Sequence, residues 1–101
     1  MPKGYVIFTE SVRDEGAMGP YGEKSFPTMI SAGGNVLVVD GAPQVVEGEW
    51  PGNRTVVLEF ESVEAARSWY DSPGYQECIP LRQAAADTNV VIVSGFEMPG
   101  G

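Results

Sequence analysis

The sequence predicts an α+β fold of ferredoxin-like type: a β-α-β-β-α-β unit whose four strands form one antiparallel sheet with both helices on one face. Three observations predict it. The chain has 101 residues, enough for one hydrophobic core and too few for two. Segments rich in β-branched and aromatic residues alternate with segments at helical spacing, in that order. No linker or internal repeat interrupts the chain, so it reads as a single domain over 1–101, structured over about 3–97 with a loose tail at 98–101.

The first strand runs from Tyr5 to Val12, where Val, Ile, Phe and Thr dominate. Asp14 then offers an N-cap, and Glu15 complements the helix dipole in the first turn. Met18, Tyr21, Phe26, Met29 and Ile30 lie roughly on one side of the helix that follows. Gly16, Gly19, Pro20, Gly22 and Pro27 fall in the same stretch. Each Gly costs about 1 kcal/mol and each interior Pro about 3 kcal/mol against Ala. The expectation is an irregular or late-starting helix, kinked near Pro27 and stopped at Gly33.

The second strand spans Asn35 to Val39, between Gly33-Gly34 and the turn signal Asp40-Gly41. A short extended piece, Gln44 to Glu47, is expected to pair back on it, and Glu49 to Asn53 to form a loop. In the third strand, Thr55 to Phe60, Val56, Leu58 and Phe60 share one face and Thr55, Val57 and Glu59 the other. Ser62 caps the second helix, whose apolar stripe is Val63, Ala66, Trp69 and Tyr70. Ser72-Pro73 restarts it, with Tyr75, Cys78, Ile79, Arg82 and Ala85 along one side and a kink expected at Pro80. The fourth strand is placed at Val90 to Phe96. Two helices on one face leave the other bare, lined by Tyr5, Ile7, Thr9, Val57 and Glu59. A second copy pressed against that face would cover it.

Charge and composition narrow the function. Fourteen Asp and Glu face six Lys and Arg, for a net charge of −8. Nucleic acid and anionic membrane are therefore poor partners. There is no histidine, which removes Ser–His and Cys–His couples and every His-based metal site. The lone Cys78 cannot form an intrachain disulfide, which fits a cytoplasmic setting. No apolar run is long enough to span a membrane. No phosphate-cradling glycine motif and no EF-hand spacing occur, so no metal and no cofactor is expected.

A set of motifs carries a family resemblance: Lys3-Gly4-Tyr5, Gly33-Gly34, Glu47-Gly48-Glu49-Trp50, the run Val56 to Glu61, Ala65-Ala66-Arg67-Ser68-Trp69-Tyr70, Ser72-Pro73-Gly74-Tyr75-Gln76 and Leu81-Arg82. Over about residues 3–97 the chain resembles the family catalogued as domain of unknown function 1330. The resemblance implies a dimeric α+β barrel, similar in fold to antibiotic-biosynthesis monooxygenases and muconolactone-isomerase-like enzymes. It further implies a small cleft in each subunit between sheet and helices, and it implies no particular reaction. The glycine- and proline-rich first helix departs from the family's usual pattern.

Candidate residues follow from chemistry. Glu59, mid-strand on the face assigned to the barrel interior, would be a desolvated carboxylate able to move a proton. The competing reading is a solvent-facing or arginine-paired carboxylate. Arg82 and Arg54, two of four arginines, could hold an anionic ligand group. Otherwise they serve intramolecular ion pairs, for instance Arg82 with Asp71 or Glu77. Trp69, Tyr70 and Tyr75 could line the cleft and orient a ligand, or simply pack the core. Tyr5 and Thr9 could touch a ligand or the dimer interface. Ser72 reads as a helix cap and Cys78 as a buried small hydrophobe. The reading is a homodimer binding a small organic molecule, anionic in one version, with cofactor-independent proton transfer or oxygenation as its chemistry. The alternative is a non-catalytic binding or structural dimer module.

Overall fold

The structure, a computed structural model, describes residues 2–99. Glycines 100 and 101 of the expected tail lie outside the described residues. The elements are β1 (Gly4–Val12), α1 (Glu15–Ser31), β2 (Asn35–Asp40), β3 (Arg54–Phe60), α2 (Val63–Asp71), α3 (Pro73–Gln76), α4 (Ile79–Ala85) and β4 (Ala86–Ser94). The sheet order is β2-β3-β1-β4 with every pair antiparallel. This is the ferredoxin-like α+β fold. No helix among the described residues is long and apolar enough to cross a membrane.

Alternation along β1 sorts its side chains. Val6, Phe8 and Glu10 are buried on the helix side, while Tyr5 and Ile7 on the bare side are half-buried. Val6, Phe8, Leu58, Phe60, Met29, Ala66, Trp69, Tyr75 and Cys78 make the main core. The Trp69 ring sits 5.3 Å from that of Phe60 and 4.1 Å from that of Tyr75. Cross-strand registry assembles one apolar row on the bare face: Val38 opposite Val57, Val57 opposite Ile7, and Ile7 opposite Val91. Its outer members are solvent-exposed.

Four expectations need correction. α1 does not start late: it is continuous from Glu15 to Ser31, with Pro20 and Pro27 inside it. Asp14 caps it by accepting a hydrogen bond from the Ala17 amide. A Schellman closure ends it, with the Gly34 amide on the Met29 carbonyl and the Gly33 amide on the Ile30 carbonyl. Gly33 takes the positive φ of 79° that this closure requires. Burial of Met18, Ser25 and Met29 outweighs the poor propensity of its glycines and prolines. Gln44 to Glu47 forms no strand; Val45 and Val46 are exposed, and β2 pairs only with β3. β4 begins at Ala86 and ends at Ser94, because β1 offers partners from Val12 opposite Ala86 to Gly4 opposite Ser94. Pro80 kinks nothing, since α3 ends before it and α4 takes it up in its first turn, where its missing N–H is no loss.

Candidate functional site

α2 lies directly on β1 and β3, whereas α1 packs chiefly against α4 and α3. A cleft of about 160 Å³ remains between α1 and the β2–β3 side of the sheet. Its walls are mostly apolar, from Phe8, Met18, Met29, Val39, Val56 and Leu58 among others. Four polar residues interrupt them: Glu10, Arg54, Tyr21 and Ser25.

Glu10 is placed by strand alternation, sharing a face with Val6 and Phe8, and is only 2% exposed. Registry sets it opposite Arg54 on β3. Arg54 Nε lies 3.2 Å from Glu10 Oε1. The contact is an ion pair poorly aligned for hydrogen bonding, so both atoms lack a hydrogen-bond partner. Burial pushes the Glu10 carboxyl up, and the charges of Arg54 and Arg82 only partly oppose it. A loop closes over this point: the Asn53 amide donates to the Glu10 carbonyl at 2.8 Å, and Gly52 takes a φ of 81° beside the Glu10 backbone.

Arg82, 4% exposed, backs the cleft from α4. Its Nη1 donates to the Tyr75 hydroxyl at 2.8 Å, and its guanidinium lies 5.9 Å from the Phe8 ring centre. Its Nε has no hydrogen-bond partner. The Tyr75 and Tyr21 hydroxyls are 2.8 Å apart. Burial raises both phenols, so they stay protonated. Trp69 lines the cleft, and its indole N–H donates to the Thr28 hydroxyl at 3.0 Å. Tyr70 packs beside Tyr75, with ring centres 5.5 Å apart, and is not part of the cleft lining.

The structure thus brings Arg54, Arg82, Tyr75 and Trp69 to one region. It sets Glu59, Tyr5 and Thr9 on the opposite face of the sheet. There Glu59 accepts a hydrogen bond of 3.3 Å from the Tyr5 hydroxyl, and Thr9 accepts one of 3.3 Å from the Asn89 amide. Glu59 and Arg82 therefore share no site. The ion pairs considered for Arg82 are absent: Asp71 is bound by Arg67 at 2.9 Å, and Glu77 is 3.9 Å from Lys24. The two cleft residues that sequence reasoning missed, Glu10 and Tyr21, carried a signal. Glu10 has the parity of Val6 and Phe8, and a carboxylate in a core register is unusual. Among the described residues, no group of three or more His, Cys, Asp and Glu could hold a metal ion.

The fold is shared with several solved structures. A protein of unknown function from Rhodopseudomonas palustris superposes with a TM-score of 0.78 at 20% identity, covering 96% of this chain and 85% of that one. SnoaB, a cofactor-independent oxygenase from Streptomyces nogalater, does so with a TM-score of 0.69 at 8% identity, covering 100% of each chain. A dimeric protein of unknown function with a ferredoxin-like fold from Bacteroides fragilis reaches 0.57 at 14% identity, over 91% of this chain and 95% of that one. No curated protein matches the chain in sequence. The family described as domain of unknown function (DUF1330) matches residues 3–96, and the chain belongs to that family.

Proposed function

We propose that the protein is a homodimeric α+β barrel whose cleft binds a small, largely apolar organic molecule carrying one anionic or strongly polar oxygen. One observation carries this reading: the Glu10 carboxylate and the Arg54 guanidinium form the polar end of a largely apolar cleft, with the buried Arg82 behind it acting on Glu10 through its charge. Arg54 and Arg82 both act on Glu10, against Glu15, inside a protein of net charge −8. A buried, partly compensated guanidinium is costly, and a ligand oxyanion would satisfy it. The dimer is supported by the apolar row Val38, Val57, Ile7 and Val91 on the bare sheet face.

A catalytic reading is favoured by one further feature, the desolvated Glu10 carboxyl in the same cleft. It needs no cofactor. The likeness to SnoaB is one of fold, and fold supports a reaction only by analogy.

A thermal-shift screen against small carboxylic acids and phenols tests the binding reading. The wild type and Glu59→Gln should be stabilised alike, because Glu59 faces away from the cleft. Arg54→Gln should lose the response. A ligand held at 100 times its dissociation constant adds about 2.7 kcal/mol, a shift of about 10 °C or more for a domain of this size. A screen in which no acid or phenol moves the melting temperature would remove the reading.

A further inference from the structure

We infer that the cleft is built to enolise an apolar carbonyl compound, with the Tyr21 hydroxyl donating to the substrate oxygen and Glu10 taking the adjacent carbon-bound proton. The inference rests on the binding reading above and assigns its substrate class and its two working groups.

The direction of the tyrosine hydrogen bonds decides the first role. Arg82 can only donate, and its Nη1 points at the Tyr75 oxygen. The Tyr75 hydroxyl is therefore an acceptor toward Arg82 and still has its own proton to place. Tyr75 is fully buried, and its hydroxyl has one other described neighbour, the Tyr21 oxygen at 2.8 Å. A buried donor left unpaired costs about 1–3 kcal/mol, so Tyr75 donates to Tyr21. That leaves the Tyr21 proton without an acceptor among the described hydrogen bonds. Tyr21 is the half-buried member of the pair and lines the cleft. The chain runs from Arg82 through Tyr75 to Tyr21 and ends as one donor presented to a ligand. Positive charge at its buried end polarises each bond in turn, which suits an oxygen that gains negative charge during reaction.

Glu10 supplies the second role. It lines the same cleft and its Oε1 has no hydrogen-bond partner. Burial raises its affinity for a proton above that of an ordinary carboxylate, which makes it a stronger base once ionised. Arg54 stands beside it and steadies the ionised form.

The step balances within the cleft. The substrate C–H bond next to the carbonyl breaks, and its proton passes to the Glu10 carboxylate. The C–H electron pair becomes the new C=C bond, and the carbonyl π pair moves to oxygen, where Tyr21 stabilises the enolate. Return of the proton to the same or another carbon restores the carboxylate. No oxidant or reductant enters. The apolar walls and the volume of about 160 Å³ favour a one- or two-ring carbonyl compound.

Three probes test this: 2-naphthol as an enol mimic, naphthalene as its oxygen-free counterpart, and 2-tetralone as an enolisable ketone. Affinities are measured by fluorescence titration, and exchange of the 2-tetralone α-protons in deuterium oxide is followed by NMR. The wild type should prefer 2-naphthol over naphthalene by about tenfold or more, and Tyr21→Phe should bind the two equally. The wild type should exchange the α-protons about 100-fold faster than Tyr21→Phe, and Glu10→Gln should show only the buffer rate. Tyr21→Phe keeps the ring and alone decides the matter if Glu10→Gln fails to fold. Binding of both naphthalene and 2-naphthol without preference, or bound 2-tetralone with no exchange, overturns the inference and leaves the binding reading standing. No binding of any probe by the wild type, together with a silent acid and phenol screen, overturns both.

Discussion

Glu10 shows how one residue's register creates a site. A strand residue has two faces available, and this carboxylate is on the buried one. Its folded-state pKa lies above the ordinary 4.5 because burial outweighs the attraction of Arg54 and Arg82. A raised carboxyl pKa means that the folded state favours the protonated form. Stability from this group is thus full below pH 4.5 and declines as pH rises through the folded pKa. Thermal melts of the wild type and Glu10→Gln across that range should show the wild type losing ground to the variant as pH rises; parallel curves would contradict the assignment. Gly52 is the second residue on which the site depends. At its φ of 81° a side chain is strained, and a Cβ would strike the backbone of Glu10. Gly52→Ala should cost about 1–3 kcal/mol in chemical denaturation and weaken any ligand response by displacing Glu10.

At the scale of elements, α1 is where local and tertiary forces disagree. Its composition reads as a poor helix, yet it runs unbroken from Glu15 to Ser31. Its cap at Asp14 and its stop at Gly33 were legible, because both act through local hydrogen bonds that their own sequence supplies, although a late start was also expected. Its continuity was not, because that depends on Met18 and Met29 finding buried contacts on other elements. Propensity is still a lever where packing has no say. Gly19 is exposed, and an added Cβ would meet nothing within 4 Å. Gly19→Ala should therefore stabilise the protein by about 0.5–1 kcal/mol, read as a higher denaturant midpoint at unchanged slope. The starts of α2 and α3 were legible, since Ser62 accepts from the Ala65 amide and Ser72 from the Tyr75 amide, whereas the end of α3 at Gln76 was not. β4 was misplaced because its extent is dictated by β1, a partner remote in sequence.

For the molecule as a whole, the open question posed by the fold is the uncovered sheet face. The row of Val38, Val57, Ile7 and Val91 is bordered by the polar set Asp40, Thr55, Thr9 and Asn89. An apolar centre with a polar margin is the usual anatomy of an interface. Val91 is 51% exposed in the single chain, so a charge there should leave the monomer fold intact. Val91→Lys should convert a dimer to a monomer in light scattering coupled to size exclusion, with an unchanged circular dichroism spectrum. A monomeric wild type at micromolar concentration would refute the dimer.

The sequence by itself determined the order of elements, the strand faces and the helix caps. Each of these depends on period, parity or a hydrogen bond spanning three or four residues. It also determined that no acid–base chemistry can rest on an imidazole, since the chain has no histidine. Only the tertiary structure decided which carboxylate meets the arginines. Glu59 and Glu10 are both strand residues with apolar neighbours, and they differ in which side of the sheet the helices cover. That is settled by the packing of α1, α2 and α4 on one face, a long-range event that leaves Glu10 beside Arg54 and Glu59 beside Tyr5.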